Sequence, residues 1–454
     1  MTTQEIVAQA QEGAPLHADA KLKRVIGPWG LGANAVNLSV GAGIFVLPGV
    51  VAAILGPAAI LAYLICGLTV ALVLTCYIEI GSFVHRSWGG VAYVEEAFGP
   101  LMGFLAWVMY SVGFEVVADA ALGTILLNSA AALAPALANG APRILALFVL
   151  FGGLAAVNVA GVRQGMRIAV ATTVAKLVPL LLAVVAGIFF MHWRELQWIG
   201  WPAGAKLGEA SLILFFAFQG IEEALAPSAE IRDPARTVPR AMFGATGTLI
   251  VLYLALQVVS QGVLGRELAH QSTAPLAAVV GRIVGVAGRT LVLIGVAVSV
   301  FGTLAGSMVA APRAFFLAAE DGMLPAALAK VHPQFRTPYV AILTAAALMF
   351  LLAVSGGFKH LAVLSSVSIL CVYLAICLGA LKLRYTRKPE SGAFRAPGGP
   401  LVGILGSLVV LWLLSHSTKV EVTALSGTLA IAIAYFFARR WYLRRKGQRS
   451  IEVG

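Results

Sequence analysis

The chain alternates long apolar runs with short connections rich in polar residues, Pro or Gly. Runs of about 20 apolar residues, the length needed to cross the hydrocarbon layer of a bilayer, can be placed twelve times along the 454 residues. The pattern predicts an all-α integral membrane protein with twelve transmembrane helices. The predicted spans are residues 30–55, 58–84, 101–135, 143–161, 168–191, 209–229, 240–265, 288–318, 338–355, 359–383, 401–416 and 421–441.

Two of these spans are interrupted in the same way. Gly41 precedes Pro48 by seven residues in span 1, and Gly220 precedes Pro227 by seven residues in span 6. Glycine destabilises a helix and proline removes an amide donor, so both spans are predicted to unwind near the middle. One such break alone favours a kinked helix. A corresponding pair, however, is typical of the binding site of a secondary transporter.

Composition and charge support a membrane protein. Hydrophobic residues make up 60% of the chain, charged residues 11%, and the mean hydropathy is +0.91. Most of the 32 Lys and Arg residues fall in connections on the side of the two termini, which predicts that both ends are cytoplasmic. The net charge of +12 is therefore interpreted as a determinant of topology and not as a nucleic-acid surface. The polar start, residues 1–20, predicts no cleaved signal peptide.

The chain lacks the motifs of catalysis and of cofactor binding. All four cysteines lie inside predicted spans, where they are interpreted as packing residues and not as a disulfide framework or metal site. No nucleotide-binding glycine motif and no Ser/His/Asp grouping is present. We therefore expect neither an enzyme nor a protein that binds a cofactor or metal.

Several motifs carry a resemblance to a known family. They are GAGIFVLPG at 41–49, GGVAYVEEAFGP at 89–100, FFAFQGIEE at 215–223, AEDG at 319–322, RTP at 336–338, SSVS at 365–368 and FRAP at 394–397. In order and spacing the chain resembles the amino acid-polyamine-organocation superfamily. The resemblance implies the leucine-transporter fold, a five-plus-five inverted repeat with broken helices 1 and 6. It divides the chain into an N-terminal segment 1–25, a transport core 26–385, helices 11–12 at 386–443 and a basic tail 444–454.

The breaks themselves suggest an α-amino acid as ligand. The amides at the start of a half-helix suit a carboxylate, and carbonyls at the end of a half-helix suit an ammonium group. Relatives often carry Ser or Thr where this chain has Ala42, so the backbone is left to bind the carboxylate. By resemblance, Phe216 matches an aromatic gate over the substrate. The predicted substrate-binding residues are Ser39, Val40, Ala42, Gly43, Ile44, Phe216, Ala217, Phe218 and Gly220.

Lys176 is a lysine deep inside span 5, which is costly unless it is paired, solvated or neutral. One interpretation is a lysine whose head group reaches the interface. The resemblance implies instead the helix 5 lysine of sodium-independent members, which occupies the sodium position of their relatives. We expect it to link span 5 to span 1, with Ser299 or Thr303 of span 8 as further partners.

Acidic residues within the spans are the other candidates. Glu222, beside the second break, is predicted to act in proton coupling or gating, or alternatively to cap the broken helix. Glu115 and Asp119 share a helix face; they contact a cationic substrate, pair with Lys176 or face extracellular water. Tyr93 resembles a gate tyrosine of arginine/agmatine exchangers.

Together these features predict a sodium-independent secondary transporter of amino acids in the cell membrane, working by proton symport or by exchange. The predicted partners are an amino acid, protons and the lipid bilayer, and an oligomer is compatible with the sequence. A cationic amino acid or polyamine exchanger is the alternative, supported by the acids of spans 3 and 6. A nutrient sensor that binds without transporting would share the same fold and site.

Overall fold

The structure is a computed structural model that describes residues 26–41, 43–82, 84, 89–131, 134–161, 165–198, 200–225, 231–271, 273–387 and 394–445. Within 165–175, and at residue 444, only the backbone is described. The described residues are helical apart from turns and short connections, and they form no β-strand; a single β-bridge joins Ile26 to Ile231.

Sixteen α-helices occur in the described residues. They are α1 Pro28–Ser39, α2 Gly43–Leu55, α3 Ile60–Gly81, α4 Gly90–Phe98, α5 Pro100–Trp107, α6 Val117–Ala131, α7 Gly140–Val159, α8 Gly165–Phe190, α9 Gly204–Leu214, α10 Pro234–Leu264, α11 Pro275–Val284, α12 Val286–Glu320, α13 Tyr339–Ser355, α14 Phe358–Thr386, α15 Pro400–Leu414 and α16 Lys419–Arg445. A π-helical stretch, Val108–Val116, joins α5 to α6, and 3₁₀ turns continue several other helices.

Many of these helices have the length and apolarity of membrane spans. Seven stretches of the described chain qualify, namely Gly43–Gly81, Pro100–Ala131, Gly140–Val159, Pro234–His270, Val286–Glu320, Phe358–Thr386 and Lys419–Leu443. Their outward faces carry large exposed apolar side chains, such as Phe301 on α12 and Ile431 on α16. Such a surface suits lipid and not water. The protein is therefore a multi-pass membrane protein.

The helices pack in pairs around a common interior. α1 packs against α10, and α9 packs against α3; α8 packs against α12, and α14 packs against the π-helical stretch and α6; α7 packs against α13. The interior is apolar and aromatic, with Trp107, Tyr63, Tyr253 and Tyr373 among the largest fully buried side chains. Residues of α1, α8 and α12, which are distant in sequence, line one cavity in this packing.

Two features of the helices differ from the sequence prediction. The pattern predicts one continuous span over 101–135, whereas the backbone there widens into the π-helical stretch before α6. In addition, α11 follows the predicted span 7 and lies against α12. The apolar pattern predicts only a connection between residues 265 and 288, and a ten-residue helix is too short to cross the hydrocarbon layer.

Candidate functional site

The first break lies between the end of α1 and the start of α2. α1 ends at Ser39, where the Val40 amide donates to the Val36 carbonyl at 2.9 Å, and α2 begins at Gly43. The Gly41 amide donates to the Ser39 carbonyl at 2.8 Å, a tight turn that leaves the α-helical path. Pro48 lies inside α2 and not at the break, and Ala42 lies outside the described residues.

The second break is longer and more tightly wound. α9 ends at Leu214, and 3₁₀ turns follow at Phe215–Ala217 and Ile221–Leu225. Between them Gly220 adopts a φ of 93°, a conformation that side chains with a Cβ rarely take. The helical path is therefore interrupted at Gly220. Pro227 of the predicted motif lies outside the described residues.

Both breaks open onto one cavity of about 370 Å³, within the roughly 300–1,000 Å³ range of small-molecule sites. Of the predicted binding residues, Ser39, Gly43, Phe216, Ala217 and Gly220 line this cavity, together with Gly41. The side chains of Val40, Ile44 and Phe218 instead pack into the apolar core. Phe218 lies against Tyr253, with ring centroids 4.9 Å apart.

Phe216 lies directly over Gly43. A Cβ placed on Gly43 would be 2.8 Å from the Phe216 Cδ1 atom and 3.1 Å from its Cε1 atom. The absence of a side chain at Gly43 therefore lets the ring approach the start of α2. The Tyr253 hydroxyl donates to the Ser39 carbonyl at 3.0 Å, which fixes the end of α1 beside the ring.

Lys176 of α8 connects to the first break. Its side chain is 6% exposed and lines the cavity, and its Nζ donates to the backbone carbonyl of Asn37, two residues before α1 ends. Ser299 and Thr303 of α12 line the same cavity. The expected link between span 5 and span 1 is thus present in the structure; the role of Lys176 in coupling stays a prediction.

Glu222 lies away from the cavity, within a group of tyrosines. The Tyr373 hydroxyl donates to Glu222 Oε2 at 2.6 Å, and the rings of Tyr373 and Tyr77 meet edge to face at 5.8 Å. The rings of Tyr93 and Tyr77 also meet edge to face, with their centroids 6.1 Å apart. The structure therefore places the predicted coupling and gating residues Glu222 and Tyr93 in one buried cluster, apart from the residues that line the cavity.

Three other acidic residues line the cavity itself, namely Glu115, Asp119 and Glu223. Glu115 comes from the π-helical stretch and Asp119 from α6, while Glu223 follows the second break. π-Helical segments are frequent at functional sites because they shift the following side chains around the helix. Here the π-helical stretch contains Glu115 and is followed directly by the turn that contains Asp119, and both residues line the cavity.

Some cavity residues have no distinctive sequence signal. Asn34 of α1 lines the cavity, as does Gln219, whose Nε2 donates to the Ser365 hydroxyl at 3.0 Å. Ser365 in turn donates to the Phe114 carbonyl at 3.3 Å. These bonds join the second break to α14 and to the π-helical stretch. Isolated polar residues inside apolar runs were the available signal, and sequence alone does not say which of them meet.

Comparison with known proteins identifies the family. A family model described as amino acid permease matches residues 26–437, which is most of the chain. The chain belongs to the amino acid permease family. This match confirms the resemblance to the amino acid-polyamine-organocation superfamily, whose members are transporters and not enzymes.

Characterised relatives align with this permease over nearly their whole length. The serine/threonine exchanger SteT of Bacillus subtilis is 29% identical, over 93% of this chain and 98% of the relative. The methylthioribose transporter of the same organism is 27% identical, over 94% and 95% of the two chains. The branched-chain amino acid permease BcaP of Bacillus subtilis is 25% identical, over 93% of this chain and 94% of the relative.

Proposed function

We propose that this permease is a sodium-independent secondary transporter of amino acids in the cell membrane. One observation carries the proposal: two helix breaks, about 180 residues apart in sequence, line the same cavity. Non-helical backbone at membrane depth is tolerated where it lines a cavity. Its free amides and carbonyls are then available to a ligand.

The cavity offers partners for both ends of an α-amino acid. The start of α2, at Gly43 and Ile44, presents amides and the positive end of a helix dipole to a carboxylate. The carbonyls that flank Ser39 and Phe216 lie at the ends of helical segments, where they suit an ammonium group; the Ser39 carbonyl itself already accepts from the Gly41 amide and the Tyr253 hydroxyl. In this arrangement the Phe216 ring, which packs against Gly43, forms the side of the pocket next to the start of α2.

The packing of the helices supports twelve spans built on a five-plus-five repeat. If spans 1–5 repeat as spans 6–10, the contact between spans 1 and 7 has its equivalent between spans 6 and 2. Both contacts occur, as α1 with α10 and α9 with α3. The contact between spans 5 and 8 likewise corresponds to that between spans 10 and 3, and both occur, as α8 with α12 and α14 with α6. Broken spans 1 and 6 are then equivalent.

Lys176 supports sodium independence. Its ammonium group sits on the Asn37 carbonyl, between the end of α1 and the hydroxyl-bearing face of α12. Backbone carbonyls and hydroxyls of this kind are the oxygen ligands that a small cation would use. The lysine supplies the positive charge at that position without an ion.

Proton coupling is the second part of the proposal. The groups that face the transport path and can exchange protons are Lys176, Glu115, Asp119 and Glu223, with Glu222 behind them beside Tyr373. A gradient-driven cycle needs such a group in contact with the break. Exchange of one amino acid for another is the alternative, and it is favoured by the relative named as a serine/threonine exchanger.

Uptake into sealed proteoliposomes tests the proposal. Vesicles containing purified permease should accumulate a labelled amino acid equally in choline and sodium buffers, and faster when the outside is more acidic than the lumen. Exchange would appear as uptake that requires unlabelled amino acid inside. Steep sodium dependence would contradict the assignment of Lys176, and saturable binding without any uptake would indicate a sensor.

A further inference from the structure

We propose that Glu115, Asp119 and Glu223 form a side-chain subsite, so that the substrate is an α-amino acid with a cationic side chain. The inference rests on the proposed function and deepens it by naming the substrate class. The three carboxyls are called the acidic wall below. They belong to the same cavity as both breaks.

The ionisable residues of the cavity are mostly acidic. Three carboxyls face a single described lysine, Lys176, whose Nζ donates to the Asn37 carbonyl. Among the described side chains, none of the three carboxyls makes an ion pair with Lys or Arg. Buried carboxylates are normally paired, because an isolated buried charge is costly. A zwitterion brings no net charge to correct this, whereas a basic side chain brings one positive charge.

Asp119 provides a second and independent sign of a ligand. Its side chain is only 3% exposed, and its Oδ2 atom has no hydrogen-bond partner among the described residues. The Oε2 atom of Glu115 is also unpartnered there. Buried acceptors without a donor are uncommon in folded proteins. Both residues line the cavity, so a donor-rich group bound there, such as an ammonium or guanidinium, would lie next to these acceptors.

The position of the acidic wall relative to the breaks sets the shape of the substrate. An oxygen of Glu223, Oε1, would lie 3.7 Å from a Cβ on Gly220, so this carboxyl sits beside the second break. Glu115 and Asp119 reach the cavity from the π-helical stretch and α6. The backbone ends at Gly43 and Phe216 hold the α-carboxylate and α-ammonium groups, and the acidic wall holds the far end of the side chain. A diamine without a carboxylate would leave the amides of α2 unused.

Matched ligand pairs test the subsite without altering the protein. Competition against a labelled basic amino acid, in detergent or proteoliposomes, compares L-arginine with L-citrulline and L-lysine with L-norleucine, which have similar size and differ in side-chain charge. The charged member of each pair should bind at least about tenfold more tightly, as expected for a charge-assisted hydrogen bond. Equal affinities, or preference for the neutral member, would overturn the inference.

Agmatine, which is arginine without its carboxylate, is the next competitor to be measured. It should bind more weakly than arginine; equal binding would contradict an α-amino acid as substrate. If neutral amino acids are transported and basic ones are not, the acidic wall serves protons and only this inference fails. If no amino acid is bound or transported, the proposed function fails as well.

Substitution then assigns the effect to the acidic wall. Asp119→Asn, which preserves shape, should raise the dissociation constant for arginine roughly 10- to 100-fold while that for citrulline stays within about threefold. Glu223→Gln should act in the same direction. Glu267→Gln, at an exposed carboxyl paired with Arg282 outside the cavity, is the matched control and should bind as the parent does. An equal loss for arginine and citrulline in Asp119→Asn would contradict a charge-specific role.

Discussion

The contact between Lys176 and Asn37 gives the sharpest test of coupling. Lys176→Ala removes an ammonium donor and leaves the Asn37 carbonyl, two residues before the end of α1, without that partner. A hydrogen bond to a charged group contributes about 1.5–3 kcal/mol. If the bond holds α1 in its substrate-binding arrangement, this corresponds to a roughly 10- to 100-fold loss of substrate affinity.

Lys176→Arg alters the same site in the opposite sense. A guanidinium does not lose its proton at accessible pH, so it keeps a fixed charge beside the break. We expect this variant to bind substrate but to remain in one conformation. Lys176→Ala is expected to show residual transport that no longer responds to a proton gradient. Both variants should therefore fail in gradient-driven uptake, for different reasons.

The assay combines equilibrium binding by scintillation proximity with uptake into proteoliposomes at equal and unequal pH. Lys359→Ala is the matched control, because Lys359 is 58% exposed and pairs with Glu209 outside the cavity. The reasoning is refuted if Lys176→Ala retains both affinity and the full response to the gradient.

Three further substitutions test the site and its surroundings. Gly43→Val should abolish binding while the protein stays monodisperse in detergent, because the added Cβ would lie 2.8 Å from the Phe216 Cδ1 atom; unchanged affinity would exclude this break as the site. Glu222→Gln keeps size and hydrogen bonding but removes the titrating group; because the account places coupling at Lys176, uptake should remain pH-dependent. Loss of pH dependence there, with retention in Lys176→Ala, would move the proton site to Glu222. Tyr373→Phe removes the 2.6 Å bond to Glu222 and should lower thermal stability, by about 1–3 kcal/mol; Tyr385→Phe, at a residue 76% exposed, is the control, and equal melting temperatures would contradict a stabilising bond.

The helices were largely predictable because crossing a bilayer demands long apolar runs. The predicted spans 143–161, 168–191 and 288–318 correspond to helices Gly140–Val159, Gly165–Phe190 and Val286–Glu320. The break before Gly43 was likewise visible, since glycine between apolar residues is a local signal. Helix α11 was missed because a ten-residue apolar helix cannot be told from a connection by length.

The details of the cavity were less predictable. Glu222 and Glu223 are adjacent, and the prediction favoured Glu222, whereas Glu223 is the one that lines the cavity. A 3₁₀ turn after a break does not follow the 100° step of an α-helix, so the pattern could not assign their directions. The contribution of Asn34 and Gln219 likewise depends on how distant helices pack. Local sequence does not encode those contacts.

The central claim is that the two breaks together bind the backbone of an amino acid. A structure of the permease in lipid nanodiscs, determined with saturating substrate, tests it most directly. The account predicts a carboxylate about 2.7–3.2 Å from the amides at the start of α2 and an α-ammonium at the carbonyls near Ser39 and Phe216. A substrate bound elsewhere, or one whose carboxylate is held only by side chains, would contradict it.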